Sequence, residues 1–311
     1  MNSIAVVLKQ PEQLELSQLE LTPAGDADVV VDVEWSGIST GTERLLWSGR
    51  MPPFPGMGYP LVPGYESVGR VSAAGATSGL HVGDHVFVPG ARCFGEVRGL
   101  FGGAASRLVV PAARTVTLDD SFGERGILLA LAATGQHAIA DGDHLPDLII
   151  GHGVLGRMIA RLTVAAGGDP VVWERNPARA NGAEGYRVTD PATDERRNYR
   201  CICDVSGDGS LLDALIARLA PHGEIVLAGF YEDALSFNFP PAFMREARLR
   251  IAAQWQESDL VTVRDMAAAG RLSLEGLITH RQIATDADAA YRTAFSDPAC
   301  LKMILDWRSM S

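Results

Sequence analysis

The amino-acid sequence predicts an α/β protein in two parts, a β-rich lobe followed by a doubly wound parallel sheet. Three observations carry that expectation. The first third holds short runs that alternate apolar and polar residues, separated by Gly and Pro. From residue 121 the apolar spacing turns helical, and strands then alternate with helices, the pattern of parallel βαβ units. A glycine fingerprint at residues 151–156 falls where one such strand meets its helix.

In chain order, DVVVDVEWSG, ESVGRVSAAG, DHVFVPGARC and SRLVVPAARTVTL read as strands of a compact barrel or sandwich. ERGILLALAATGQHAIA reads as a helix, PDLII as a short buried strand, and GRMIARLTVAAGG as the helix after it. DPVVWERN, CICDVSG, EIVLAGFY and LRIAAQW read as further strands, with helices over GSLLDALIARLAPHG and SDLVTVRDMAAAG. The last segment, LITHRQI to MILDW, reads as strand, helix and strand, returning to the first lobe. The expected division is 1–120 with 276–311 for the lobe and 121–275 for the dinucleotide-binding domain.

A net charge of −11 over 311 residues argues against a nucleic-acid partner, which calls for a basic face. The four cysteines, Cys93, Cys201, Cys203 and Cys300, have neither disulfide-framework nor zinc-quartet spacing. The N-terminus MNSIAVVLKQPEQ lacks the features of a signal peptide, and no apolar run approaches the roughly 18 residues of a membrane span. A soluble cytoplasmic protein is expected.

Gly151-His152-Gly153-Val154-Leu155-Gly156 follows the strand and opens the helix RMIARLTVAAG. The glycines permit the turn, the approach of a pyrophosphate and close helix–strand packing, and the helix N-terminus favours the phosphates. Glu174, at the end of the next strand, is placed to bind ribose hydroxyls and repel an additional phosphate, so NAD is the expected cofactor. Arg175 and Arg179 lie nearby. His137 and His152 are expected to be hydrogen-bonded structural histidines near the cofactor cleft, with an acid–base role as the alternative for each.

Residues 62–69, VPGYESVG, set the ionisable pair Tyr65-Glu66 between glycines and apolar residues. With SGISTGTE at 36–43, PGYE at 63–66 and ATGQHAI at 133–139, the whole chain resembles the medium-chain dehydrogenase/reductase family in motif order. The resemblance implies a GroES-like catalytic lobe beside a Rossmann domain. In zinc-dependent members the metal ligands would fall at Ser39, Tyr65 and Ala130, none of them a good zinc ligand, so a metal-free enzyme is expected. Side chains must then handle the alcohol proton: Tyr65 as orienter or relay, Glu66 as acceptor, and Ser39, Thr40 or Thr42 as hydroxyl relays. Bracing of the lobe would explain Tyr65 and Glu66 as well, and Glu66 matches a family position with a structural part. Thr134 matches a family position beside the nicotinamide.

Residues 45–64, LLWSGRMPPFPGMGYPLVPG, carry Trp47, Arg50, Met51, Phe54, Met57 and Tyr59. Aromatic and methionine side chains suit a large flat apolar ligand, and Arg50, Arg92, Arg98 or Arg107 could meet a carboxylate. Packing within the lobe would explain the same residues. The stretches 35–71 and 87–111 resemble the 3-hydroxyethyl bacteriochlorophyllide a dehydrogenases, which implies a tetrapyrrole substrate in bacteriochlorophyll biosynthesis. Trp47, Arg50, Phe54 and Tyr59 are then expected to touch it. A homodimer is compatible with the resemblance. Two alternatives stay open: a zinc-free quinone or enoyl reductase, and a non-catalytic dinucleotide-binding protein.

Overall fold

The computed structural model describes residues 1–53, 55–252 and 254–310. Two compact units form, Met1–Ala130 with Leu274–Ser311, and Leu131–Ser273. Their divisions fall ten residues after the expected 120/121 boundary and two before 275/276.

The first unit begins with a hairpin, β1 (Asn2–Gln10) and β2 (Gln13–Glu20), that was not singled out from the sequence. Next come β3 (Asp28–Ile38), α1 (Thr42–Ser48), β4 (Leu61–Val62), β5 (Ser67–Ala74), β6 (His85–Val88), β7 (Arg98–Gly99), β8 (Arg107–Pro111) and β9 (Val116–Thr117). A 3-10 segment, Asp120–Leu128, leads into α2 (Leu129–Ala140), so the expected helix starts in a tighter form.

The second unit runs through β10 (Leu148–Ile150), α3 (Val154–Ala165), β11 (Val171–Trp173), β12 (Arg187–Thr189), β13 (Tyr199–Asp204), α4 (Leu212–Ile216), β14 (Leu219–Leu227), α5 (Phe239–Arg245), β15 (Arg248–Ile251) and α6 (Glu257–Ala268). Its six strands are all parallel, in the order β12-β11-β10-β13-β14-β15. The order reverses direction at β10. Right-handed crossovers therefore place α3 and α4 on opposite faces, and the C-terminal ends of β10 and β13 open the ligand crevice of a doubly wound sheet. The fully buried Leu148 and Ile149 are apolar because a parallel sheet is covered on both faces. The helix expected over 209–223 is shorter, since Leu219–Leu227 already belongs to β14.

The chain then returns to the first unit with β16 (His280–Ile283), α7 (Ala287–Ser296) and β17 (Met303–Asp306). A seven-stranded sheet forms in the order β16-β17-β3-β5-β6-β9, with β8 also on β3, beside a four-stranded β2-β1-β4-β7 sheet. Two of its registers build the site below. Antiparallel β17 pairs Met303 with Ile38, and β5 pairs Ser67 with Ser36. Glu66 and Lys302 are thereby delivered to the same end of β3. Among the described residues no helix is long and apolar enough to cross a membrane.

Candidate active site

In the first unit, the end of β3, the residues before β5 and the residue before β17 converge on a buried polar cluster. Tyr65 is half-buried and donates its phenol hydrogen to Ser39 Oγ at 3.0 Å. Its ring meets Phe101 edge-on, with centroids 5.4 Å apart. Burial, and then the charge of Glu66, push the Tyr65 hydroxyl well above the usual tyrosine range, so it stays protonated. Thr42 reaches the phenol as well. The exposed Thr40 is not brought to it, because α1 begins at Thr42 and turns that side chain inward instead.

Glu66 is fully buried, and its Oε2 lies 2.6 Å from Lys302 Nζ, which also donates to Ile38 O at 3.2 Å. A Cβ at residue 37 would overlap Glu66 Oε2, so only glycine there lets the carboxylate pass. Glu66 Oε1 is buried with no hydrogen-bond partner. The expectation that Glu66 takes the substrate proton is corrected on this geometry. A fully enclosed carboxylate held by an ammonium presents no exposed face to a substrate hydroxyl.

Two members of the cluster escaped sequence reasoning. Glu43, fully buried, accepts from Ser39 N at 3.0 Å and from the Tyr291 hydroxyl of α7 at 2.6 Å. Burial outweighs these two bonds and pushes its carboxyl up to about 7. Lys302 is the other, signalled by a charge set within the apolar run ACLKMIL; Glu43, between Thr42 and Arg44, carried no such signal.

The loop expected to meet the substrate packs largely on its own unit. Trp47 stacks at a tilt against Phe295, 5.6 Å between centroids, with Arg292 over its face. Tyr59 donates to Leu46 O and joins the cluster of Leu8, Leu45, Leu46, Met51, Leu61 and Leu100. Arg50 is exposed, with its Nε 3.2 Å from Ser48 Oγ. Phe54 lies outside the described residues.

In the second unit, Gly151, Gly153 and Gly156 form the turn from β10 into α3. A Cβ at Gly156 would overlap Gly151 O, so that glycine serves the fold. Gly153 differs. Its φ of −74° suits any residue, and a Cβ there meets nothing within 4 Å. Open space at the N-cap of α3, a helix start with no side-chain cap, fits a phosphate group of a dinucleotide, which Val154 and Leu155 would meet through their main-chain amides. Glu174 accepts from Asn176 N at 2.7 Å and His152 N at 3.3 Å, leaving lone pairs for ribose hydroxyls. Arg175 is exposed, 3.7 Å from Asp208. Thr134 is half-buried on α2, one turn before His137, whose Nδ1 lies 2.9 Å from Asp259 Oδ2.

Residues 25–120 match the alcohol dehydrogenase GroES-like domain family. The chain is 58% identical to proteins named 2-desacetyl-2-hydroxyethyl bacteriochlorophyllide A dehydrogenase from Cereibacter sphaeroides and Rhodobacter capsulatus, over 99% of this chain and of each relative. The chain belongs to the medium-chain dehydrogenase/reductase superfamily. The L-idonate 5-dehydrogenase structure from Escherichia coli shares this medium-chain fold, with a TM-score of 0.86, 18% identity and 98% of both chains covered. Zinc does not suit the donor set at the positions where medium-chain enzymes hold it. Ser39 offers a hydroxyl, Tyr65 a protonated phenol and Ala130 no donor, and the adjacent Glu66 oxygen is taken by Lys302.

Proposed function

We propose that the protein oxidises the hydroxyethyl substituent of a bacteriochlorophyllide to an acetyl group, with NAD as hydride acceptor and hydroxyl side chains in place of a metal. The substrate class rests on the two full-length relatives at 58% identity, whose name describes a ring with hydroxyethyl where acetyl would stand. One observation carries the chemistry: the protonated, half-buried Tyr65 phenol held on Ser39 Oγ. Because Tyr65 spends its own hydrogen on Ser39, its oxygen is free to accept a hydrogen bond from a substrate hydroxyl. The nearby Glu66 carboxylate makes that oxygen more basic. As the alcohol proton moves onto Tyr65 Oη, the phenol hydrogen moves to Ser39 Oγ and the serine's own hydrogen is released to water, so both hydroxyls relay one proton without ionising. Lys302 holds Glu66 in its enclosed position.

NAD bound at the glycine-rich turn would accept the hydride. Glu174 supports NAD over NADP, since a carboxylate aimed by two main-chain amides attracts ribose hydroxyls and repels a 2′-phosphate. The test mixes metal-analysed protein with NAD and 3-(1-hydroxyethyl) bacteriochlorophyllide a, and follows NADH and the pigment's red band together. NADH formation matched by a red-shifted acetyl product, with zinc well below one per chain, is expected. Consumption of NADPH with a conjugated acceptor, and no reaction with the alcohol, would favour a quinone or enoyl reductase.

A further inference from the structure

Beside the glycine-rich turn, a second polar network lies wholly inside the second unit. His152, Arg157 and Tyr186 are 0%, 5% and 8% exposed. His152 Nδ1 is 2.6 Å from the carbonyl of Arg179, and Nε2 is 2.8 Å from the Tyr186 hydroxyl. A carbonyl only accepts, so Nδ1 carries the ring hydrogen and Tyr186 donates to Nε2. Burial drives the His152 midpoint down to about 4, which keeps the ring neutral and this tautomer in place.

The Arg157 guanidinium donates to the carbonyls of His152, Arg179, Asn181 and Gly182, at 3.1, 3.0, 2.7 and 3.2 Å. A Cβ at Gly182 would overlap Arg157 Nη1. Burying a cation to hold four main-chain acceptors is a costly way to fill space, and an apolar side chain would pack the core more simply. What the arrangement supplies is one fixed path for residues 179–186 against the glycine-rich turn. Glu174 depends on that path. One of its two orienting amides belongs to His152, and the other to Asn176 at the entry to the segment.

We propose that His152, Arg157 and Tyr186 are positioning residues for adenosine-ribose recognition, aiming Glu174 and so setting the preference for a free 2′-hydroxyl over a 2′-phosphate. The inference rests on the assignment of Glu174 to the ribose. It locates selectivity in side chains that act through the loop.

The test is equilibrium titration of NAD and of NADP into the full-length protein and three variants, with a melting curve for each. Tyr186→Phe removes one neutral hydrogen bond, for which roughly a three- to tenfold weaker NAD affinity is expected. NADP affinity should stay within about twofold, because Glu174 gives it nothing to lose. His152→Ala should lower the NAD-to-NADP ratio further. His152→Asn should restore most of it, since its amide can still donate to the Arg179 carbonyl. Equal weakening of both dinucleotides, or an unchanged ratio in folded variants, would overturn the inference. A wild-type protein with no preference for NAD would overturn the ribose assignment and the inference with it, whereas a wild-type preference that the folded variants keep would overturn the inference alone.

Discussion

Glu43 offers a quantitative test of the buried cluster. Its carboxyl is fully enclosed, and its midpoint rises from an ordinary 4.5 to about 7. Below pH 4.5 both folded and unfolded chains hold the proton, and the group contributes nothing to the pH dependence. Between 4.5 and about 7 the unfolded chain releases the proton while the folded chain keeps it, so stability falls as pH rises. At about 1.4 kcal/mol per pH step, the loss over that interval is roughly 3 kcal/mol. Glu43→Gln imitates the protonated acid. Its amide oxygen can accept from Ser39 N, and its NH2 can face a Tyr291 hydroxyl turned to accept. The variant should match the wild type near pH 4.5 and exceed it at pH 8 by up to about 3 kcal/mol. Urea unfolding at both pH values, followed by tryptophan fluorescence, measures this. The reasoning fails if the difference between the two proteins is the same at both pH values, or if the variant is the less stable at pH 8.

Other outcomes follow from the same side chains. Lys302→Met strands the Glu66 carboxylate, one of whose oxygens already lacks a partner, and should cost about 3–5 kcal/mol of stability. Adding Glu66→Gln should recover much of that loss, which denaturant curves of the single and double variants will show. Glu174→Ala removes a charged acceptor and should weaken NAD about ten- to a hundredfold in a binding titration. Unchanged affinity would mean another residue reads the ribose.

What the sequence disclosed follows chain separation. Glu174 and the glycines act within one βαβ unit, so strand, turn and helix periodicity placed them without tertiary information. Tyr65 announced itself as an ionisable residue among glycines. Its partners were harder to see: Glu43 and Tyr291 stand 248 positions apart, and Glu66 and Lys302 stand 236 apart. The pairings of β17 and of β5 with β3 bring the second couple together. Thr40 and Thr42 looked equivalent because the start of α1 decides which hydroxyl turns inward, and element boundaries are the least legible feature of a sequence. Trp47 and Tyr59 read equally as ligand surface or as lobe packing, and the structure gives each a partner inside its own unit. The first half of the strand over Leu219–Leu227 was hidden because APHG looks like a helix stop, whereas His222 takes a positive φ of 61° within the strand.

The most direct test of the account is single-turnover oxidation of the hydroxyethyl pigment by Tyr65→Phe in metal-analysed protein, with NAD and pigment binding measured separately. Phenylalanine keeps the ring against Phe101 and loses the oxygen that meets the alcohol. The account predicts binding within a fewfold of wild type and a chemical step slowed by roughly 100-fold or more. An undiminished rate would show that the proton leaves by another route and that Tyr65 only fills its place in the lobe.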